Sequence, residues 1–366
     1  MIPMKIKPPL AFALLAALLL AASCGGAPSA DEAGMAAPAL VYVRLDEAGA
    51  AQFAWREGLD APASALALDF PAECAVYALY PAPDGLQLAV EFVCSGSPVV
   101  QVFDTLDGAT LMPVQETDSR FLAWSADGDW LYLRADTYGG NYVVRCEPDG
   151  GRLESLSLPT GTYDLAALPG GDVLFSVTQG IGFGSEVRRG DERGRGDRSI
   201  LSEPADIVAY LRPSPDGERV AFILIPDSQT PFTVGELWLM DADGANTRFL
   251  AEADAGHGYA PAWSPDGSRI AFIGRENPEE AQADQSAGAL HSNLYVYDLE
   301  AGTVSALTRF PAAVVETPAW APDGSALAFD VINDGTINVW VFETASGTLG
   351  QLEESFACCA AWLAGR

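Results

Sequence analysis

The feature that most limits what this chain can become is a repeated turn. Residues 261–274 read PAWSPDGSRIAFIG and residues 318–330 read PAWAPDGSALAFD. In each, an apolar run reaches tryptophan, four turn residues follow, and a second apolar run begins. Pro265 presets φ for the first central turn position, Asp266 tolerates the second, and Gly267 closes the turn without a Cβ clash. Two β-runs joined this way make a hairpin. Weaker copies occupy residues 79–92 (LYPAPDGLQLAVEF), 121–133 (FLAWSADGDWLYL), 165–177 (LAALPGGDVLFSV) and 211–223 (LRPSPDGERVAFI). Gly85, Gly128, Gly171, Gly217, Gly267 and Gly324 end these turns and recur every 43 to 57 residues. Strand-rich self-similarity at such a period predicts a propeller or array.

A second hairpin follows the first, as at 99–113, 236–251, 293–310 and 339–352, giving four antiparallel strands, a to d, per unit. That is one propeller blade. The chain ends set the blade number. Residues 64–71 (SALALDFP) echo 305–311 (SALTRFP), so 63–70 reads as a strand d, 51–56 as its strand c and 40–45 as its strand b. The missing strand a lies at 360–362, where Ala361-Trp362 repeats Ala262-Trp263. The expected fold is therefore all-β, a propeller of seven blades whose termini share the closing blade. A six-bladed ring is the alternative, and it leaves strands over. Closing the ring in this way removes an unpaired sheet edge.

Lys5 and Lys7 precede the apolar residues 8–22, and small residues lead to Cys24, which describes an export signal rather than a spanning helix. The cysteine after those small residues resembles the lipobox of bacterial lipoproteins, with Ala21 where leucine is usual. The resemblance implies removal of residues 1–23 and a diacylglycerol on Cys24. It leaves residues 24–38 as a flexible Gly/Ala/Ser/Pro tether and 39–366 as the propeller. The expected address is the bacterial cell envelope, on the extracytoplasmic side of a membrane. A plain secretory signal is the other reading. The net charge is −30, and both lysines fall within the signal. A chain so acidic is unsuited to nucleic acid, whose phosphates need clustered Arg or Lys. It is equally unsuited to electrostatic attachment to anionic lipid, so membrane contact is expected through the lipid anchor alone.

Cys74 and Cys94 roughly oppose each other across one hairpin, which makes a disulfide between them expected in an oxidising compartment. Cys358 and Cys359 on the closing strand compete for Cys74, and Cys146 has no evident partner. No Cys-x-x-Cys spacing supports a metal, and no dinucleotide or Walker fingerprint supports a cofactor.

The Trp-Ser-Pro-Asp-Gly-Ser-Arg-Ile-Ala-Phe hairpin resembles the WD40-like (PD40) repeat of the TolB family of periplasmic β-propellers. That resemblance covers nearly all of residues 39–366, and implies a six-bladed scaffold in envelope assembly, where this chain counts to seven. The family's separate N-terminal α/β domain is not expected here. The motif also occurs in propellers of prolyl-oligopeptidase-like enzymes, so it identifies a fold rather than a chemistry.

Connections b–c and d–a emerge on one face of a propeller, and the long ones here gather there: the acidic 274–292, then 226–235 and 254–259. Binding usually resides on such loops. The candidate ligand face comprises His257, Tyr259, Arg275 and His291, with Arg212 on an inner strand facing either an anionic ligand or a neighbouring acid. Two histidines beside Glu276, Glu279 or Glu280 are also a conceivable metal set, against which stand ordinary solvated loops. The repeated Trp124, Trp263, Trp320 and Trp362 are expected to pack between blades. Residues 188–198 (RRGDERGRGDR) read as a basic c–d turn touching acidic neighbours or a partner. No Gly-x-Ser-x-Gly elbow is present, and a lyase similar to the seven-bladed oligogalacturonate lyases would want more histidines than the chain's 2. The favoured expectation is a non-catalytic propeller that binds a protein or cell-envelope ligand. The alternative is an extracytoplasmic hydrolase or lyase with its site on the long-loop face.

Overall fold

The Pro-Asp-Gly segments turn as their residues dictate. In the computed structural model, Gly267 sits at φ +68 and its amide donates to the Ser264 carbonyl at 2.9 Å. Ser264 Oγ accepts the Arg269 amide at 2.9 Å and donates to Asp266 Oδ1, which also accepts the Ser268 amide. Ser125 with Asp127, and Ser214 with Asp216, repeat the arrangement. The structure describes residues 38–58, 61–71, 73–112, 118–137, 140–180, 182–228, 230–255 and 260–363.

The strands these turns join form seven four-stranded antiparallel sheets, the blades of a β-propeller. Blades 1 to 6 span residues 74–112, 119–155, 162–203, 207–254, 262–306 and 314–351. Blade 7 takes its innermost strand, Ala357–Leu363, from the far end of the chain. Its other strands, Ala39–Leu45, Ala51–Glu57 and Ser64–Leu66, come from the near end. Trp362 pairs with Leu40 and Ala361 with Val41, so the shared blade closes in the register that the Ala-Trp repeat requires. Its strand d is shorter than the echo of residues 305–311 suggests, because the Leu68 amide turns back onto the Leu66 carbonyl.

The strands b read as nearly continuous apolar runs because both their faces are buried against neighbouring blades. One apolar cluster fills each of the seven seams, from Phe53, Phe92 and Leu363 between blades 7 and 1 round to Leu40, Ala328 and Trp362 between 6 and 7. The repeated tryptophans lie at these seams. Trp124 Nε1 donates to the Tyr80 carbonyl, Trp263 to Arg212, Trp320 to Ala262 and Trp362 to Ala319, always on the inner strand of the preceding blade. A buried indole N–H needs a partner, and here the partner fixes the angle between blades. Among the described residues no helix is long and apolar enough to cross a membrane.

Candidate functional site

Near the axis, the inner strands of blades 1, 2, 3, 4, 6 and 7 each slip register against their strand b. Such a bulge strands backbone groups that the ladder no longer serves. Side chains from the preceding blade take them up, and all four come from the same position of strand b. Glu91 Oε2 accepts the Phe121 amide at 3.0 Å, and Asp330 Oδ2 accepts the Cys359 amide at 2.8 Å. Arg134 donates to the Tyr163 carbonyl and Ser176 to the Val208 carbonyl. The corresponding residues Ile223, Ile273 and Val43 are apolar.

Burial of these groups moves their proton affinities. Desolvation raises Glu91 against the opposing pull of the Phe121 amide and Arg120. It raises Asp164 as well, although Arg212 and the Leu211 amide favour its ionised form. Asp330, only 5 % exposed, is pushed up to about 7 by desolvation, with Glu316 adding to the rise and the Cys359 amide opposing it. Tyr210, Thr317 and Cys359 occupy the left-handed region at equivalent bulge positions, with φ of +59, +47 and +65. Strain of this kind clusters at working parts of proteins. Tyr77, 59 % exposed, stands at the same level in blade 1. Arg212 donates to the Leu211 carbonyl at 2.9 Å, and its charge acts on Asp164, Tyr80 and Tyr210, which places it among the acids and phenols of the inner strands.

The loops leading from strand b to strand c in blades 4 and 5 brace one another on one face. The blade 5 insertion is folded rather than loose. Ala283 and Leu290 bury against Val314, with Phe232 from the neighbouring loop packed beside them. Asn277 ties its ends, accepting the His291 amide and donating to the Ala289 carbonyl. Arg275, expected on the ligand face, lies beneath the insertion with its side chain 1 % exposed, paired to Asp284 at 2.9 Å and donating to the Phe232 carbonyl. That removes it from the candidate surface, because its charge is already matched inside. His291 is half-buried with its backbone held at both groups by Asn277 and Glu276. Cys24, His257 and Tyr259 lie outside the described residues, and among the described residues no three His, Cys, Asp or Glu side chains are grouped to hold a metal.

Two features of this face escaped the sequence reading. Phe183 is 72 % exposed on a blade 3 loop in which Gly180, Gly182 and Gly184 all take positive φ. The buried acids of strand b carried a signal too, an acid inside an apolar run once the repeats are aligned (LAVEF, LAFDV).

On the opposite face four of the five arginines of 188–198 are paired with acids. Arg188 pairs with Glu186 and Asp197, Arg189 with Asp172, Arg193 with Glu154, and Arg195 with Asp191. Arg188 and Arg189 belong to strand Ser185–Gly190 and Arg198 begins strand Arg198–Glu203, so the turn itself is shorter than the run of arginines. Cys74 and Cys94 are directly paired in register and joined by a disulfide, their Cα atoms 4.4 Å apart.

Residues 212–360 match the family model described as the PD40, TolB beta propeller domain. Dipeptidyl-peptidase 5 of Porphyromonas gingivalis is 34 % identical over 70 residues, which is 19 % of this chain and 10 % of that protein. The matched segments span no more than 18 % of the length of the first curated relatives, both peptidases by name. TolB from Acinetobacter baumannii superposes with a TM-score of 0.52 at 15 % identity, covering 90 % of this chain and 67 % of that one. An oligogalacturonate lyase from Vibrio parahaemolyticus gives 0.54 at 13 % identity, covering 86 % and 85 %. At such identities the likeness carries the fold and no chemistry. Seven blades of four antiparallel strands make this chain a β-propeller, and residues 212–360, from blade 4 to the start of the closing strand, are similar to the PD40 repeats of TolB-like propellers.

Proposed function

We propose that the chain is a lipid-anchored, extracytoplasmic propeller that binds a protein or cell-envelope ligand through the face carrying the b–c loops of blades 3 to 5. The observation that carries this reading is the exposed Phe183 on the face where the loops of blades 4 and 5 brace one another. The Phe232 amide donates to the Asp284 carbonyl, joining the loops of blades 4 and 5. Loops already held to one another lose little entropy on docking. The lipobox-like Cys24 supports the anchor, and the Cys74–Cys94 disulfide fits an oxidising compartment. His291 falls on the same face, with Arg212 among the inner strands.

A hydrolase or lyase site on this face is the second reading, suggested by the peptidase and lyase names among similar proteins. The two separate experimentally. Cross-linking capture from envelope extract, with the purified protein as bait, is expected to recover a partner that Phe183→Ser loses and Arg193→Gln retains. Identical capture by all three proteins, or turnover of peptide or oligogalacturonate substrates by the wild type, would overturn the binding reading.

A further inference from the structure

Cys358 and Cys359 follow one another in the inner strand of blade 7. In a regular strand, neighbouring side chains leave on opposite faces. The rest of this strand obeys: Ala357, Ala360 and Trp362 face the blade 6 seam, while Cys358, Ala361 and Leu363 face the blade 1 seam. Cys359 breaks the alternation and joins Cys358 on the blade 1 side. The cause is local. The bulge opposite Val41 and Val43 places Cys359 at φ +65, which swings its Cβ to the side that Cys358 already occupies. The two thiols thus face the same seam from adjacent positions of one strand. Cys359 Sγ also meets the Tyr77 carbonyl at 3.7 Å and the Val76 carbonyl at 4.0 Å. Both cysteines are free thiols, in the same apolar cluster as the oxidised pair Cys74–Cys94.

We propose that Cys358 and Cys359 are a redox site, a vicinal dithiol that closes to a disulfide by exchange with a small-molecule disulfide such as oxidised glutathione. Cys359, the less buried of the two, gives up its proton and attacks one sulfur of that disulfide. The S–S bond breaks, and one small-molecule thiolate leaves and takes a proton. Cys358, as thiolate, then attacks Cys359 Sγ and displaces the second small-molecule thiolate, which is protonated in turn. Two protein thiols are oxidised by two electrons, and one small-molecule disulfide is reduced to two thiols. Closure withdraws Cys359 Sγ from the Tyr77 and Val76 carbonyls and re-aims the bulge whose amide Asp330 accepts. The redox state is thereby written into the axial end of the seam between blades 7 and 1. The Cys358 thiol, burial, Asp330 and Glu316 all hold Cys359 in its protonated form, so exchange is slow and the test must be an equilibrium one.

The purified protein is equilibrated in glutathione buffers of stepped thiol-to-disulfide ratio, acid-quenched, denatured and alkylated with N-ethylmaleimide before peptide mass analysis. The peptide holding both cysteines is expected to pass from doubly alkylated to unalkylated and lighter by two hydrogens as the buffer becomes oxidising. Cys74–Cys94 stays linked and Cys146 stays alkylated throughout. Double alkylation at every ratio would overturn the proposal. So would a stable glutathione adduct on Cys359 without ring closure, or a bond from either cysteine to Cys74 or Cys94. Phenylarsine oxide, which bridges paired thiols, supplies a second readout on the reduced wild-type protein. One equivalent bound, and none bound by Cys359→Ser of unchanged circular dichroism, supports the pair, while no binding by the wild type refutes it.

Discussion

Asp330 lends itself to a quantitative test. Its carboxyl titrates near 3.8 in an unfolded chain and is pushed up to about 7 in the fold by desolvation. Between those values the folded state holds a proton that the unfolded state has released, so stability must fall as pH rises through this window. The stabilisation is fully present below 3.8 and is lost as pH climbs through about 7. At about 1.4 kcal/mol per pH unit, the full window is worth roughly 4 kcal/mol, and the stretch from pH 5 to pH 8 roughly 3 kcal/mol. Glu91 and Asp164, also raised, tilt the profile the same way. Asp266, held down to about 2 by Ser264 and the Ser268 amide, acts oppositely but only below its unfolded value of 3.8. Asp330→Asn keeps an acceptor for the Cys359 amide and removes the titration. Self-repulsion in so acidic a protein is nearly common to both, so their difference isolates the one carboxyl. Urea midpoints and m-values at pH 5, 6, 7 and 8 are the assay. The wild type should lose roughly 3 kcal/mol relative to Asp330→Asn across that range. A difference that stays constant with pH, or one that grows in favour of the wild type at high pH, would refute the assigned proton.

Trp320→Phe removes the indole donor to the Ala262 carbonyl and leaves a small void; thermal melts should show a loss of about 1–2 kcal/mol. Replacing residues 277–290 by a short turn strips Asp284 from the buried Arg275. Denaturation should report a loss of about 3–5 kcal/mol, most of it recovered by adding Arg275→Met. An unchanged midpoint in the deletion alone would show that the insertion is a passive loop. Cys24→Ala should abolish a lipid mass increment and release the protein from the membrane fraction, since two or three acyl chains hold where one is marginal. Membrane retention of that variant, with no lipid on the wild type, would dismiss the anchor.

The architecture was legible because the information that specifies it is local and repeated. Proline presets one dihedral, glycine permits another, and the tryptophan before each turn marks the seam. The closing blade was legible for the same reason, since Ala361-Trp362 could be nothing but the inner strand missing from residues 40–66. The axial acids were hidden by distance. Asp330 sits in an apolar run, and the amide that justifies it belongs to Cys359, 29 residues away in the next blade. The insertion misled for a related reason. Its composition is acidic, yet two apolar side chains without periodicity, Ala283 and Leu290, suffice to fold it onto Val314. Arg275 reads as a loop cation and is a buried one, because Asp284 comes to meet it only once that loop has folded.

The fastenings between blades are not evenly distributed. Indole-to-carbonyl bonds join blades 1–2, 4–5, 5–6 and 6–7. Strand b side chains reach the next blade at 1–2, 2–3, 3–4 and 6–7. Among the described residues the boundary between blades 7 and 1 has neither, since Pro81 stands where the tryptophan would be and Val43 where the latch would be. Apolar packing and a few contacts such as Gln101 to the Asp69 carbonyl hold it. A hoop fastened this way opens at its clasp. Sub-global unfolding is then directional, with amides of Ala357–Leu363 and Cys74–Pro81 exchanging with solvent before those of inner strands away from this boundary. Because the lines of weakest and strongest attachment are fixed by single side chains, the rigidity of the ring can be redistributed without altering its fold.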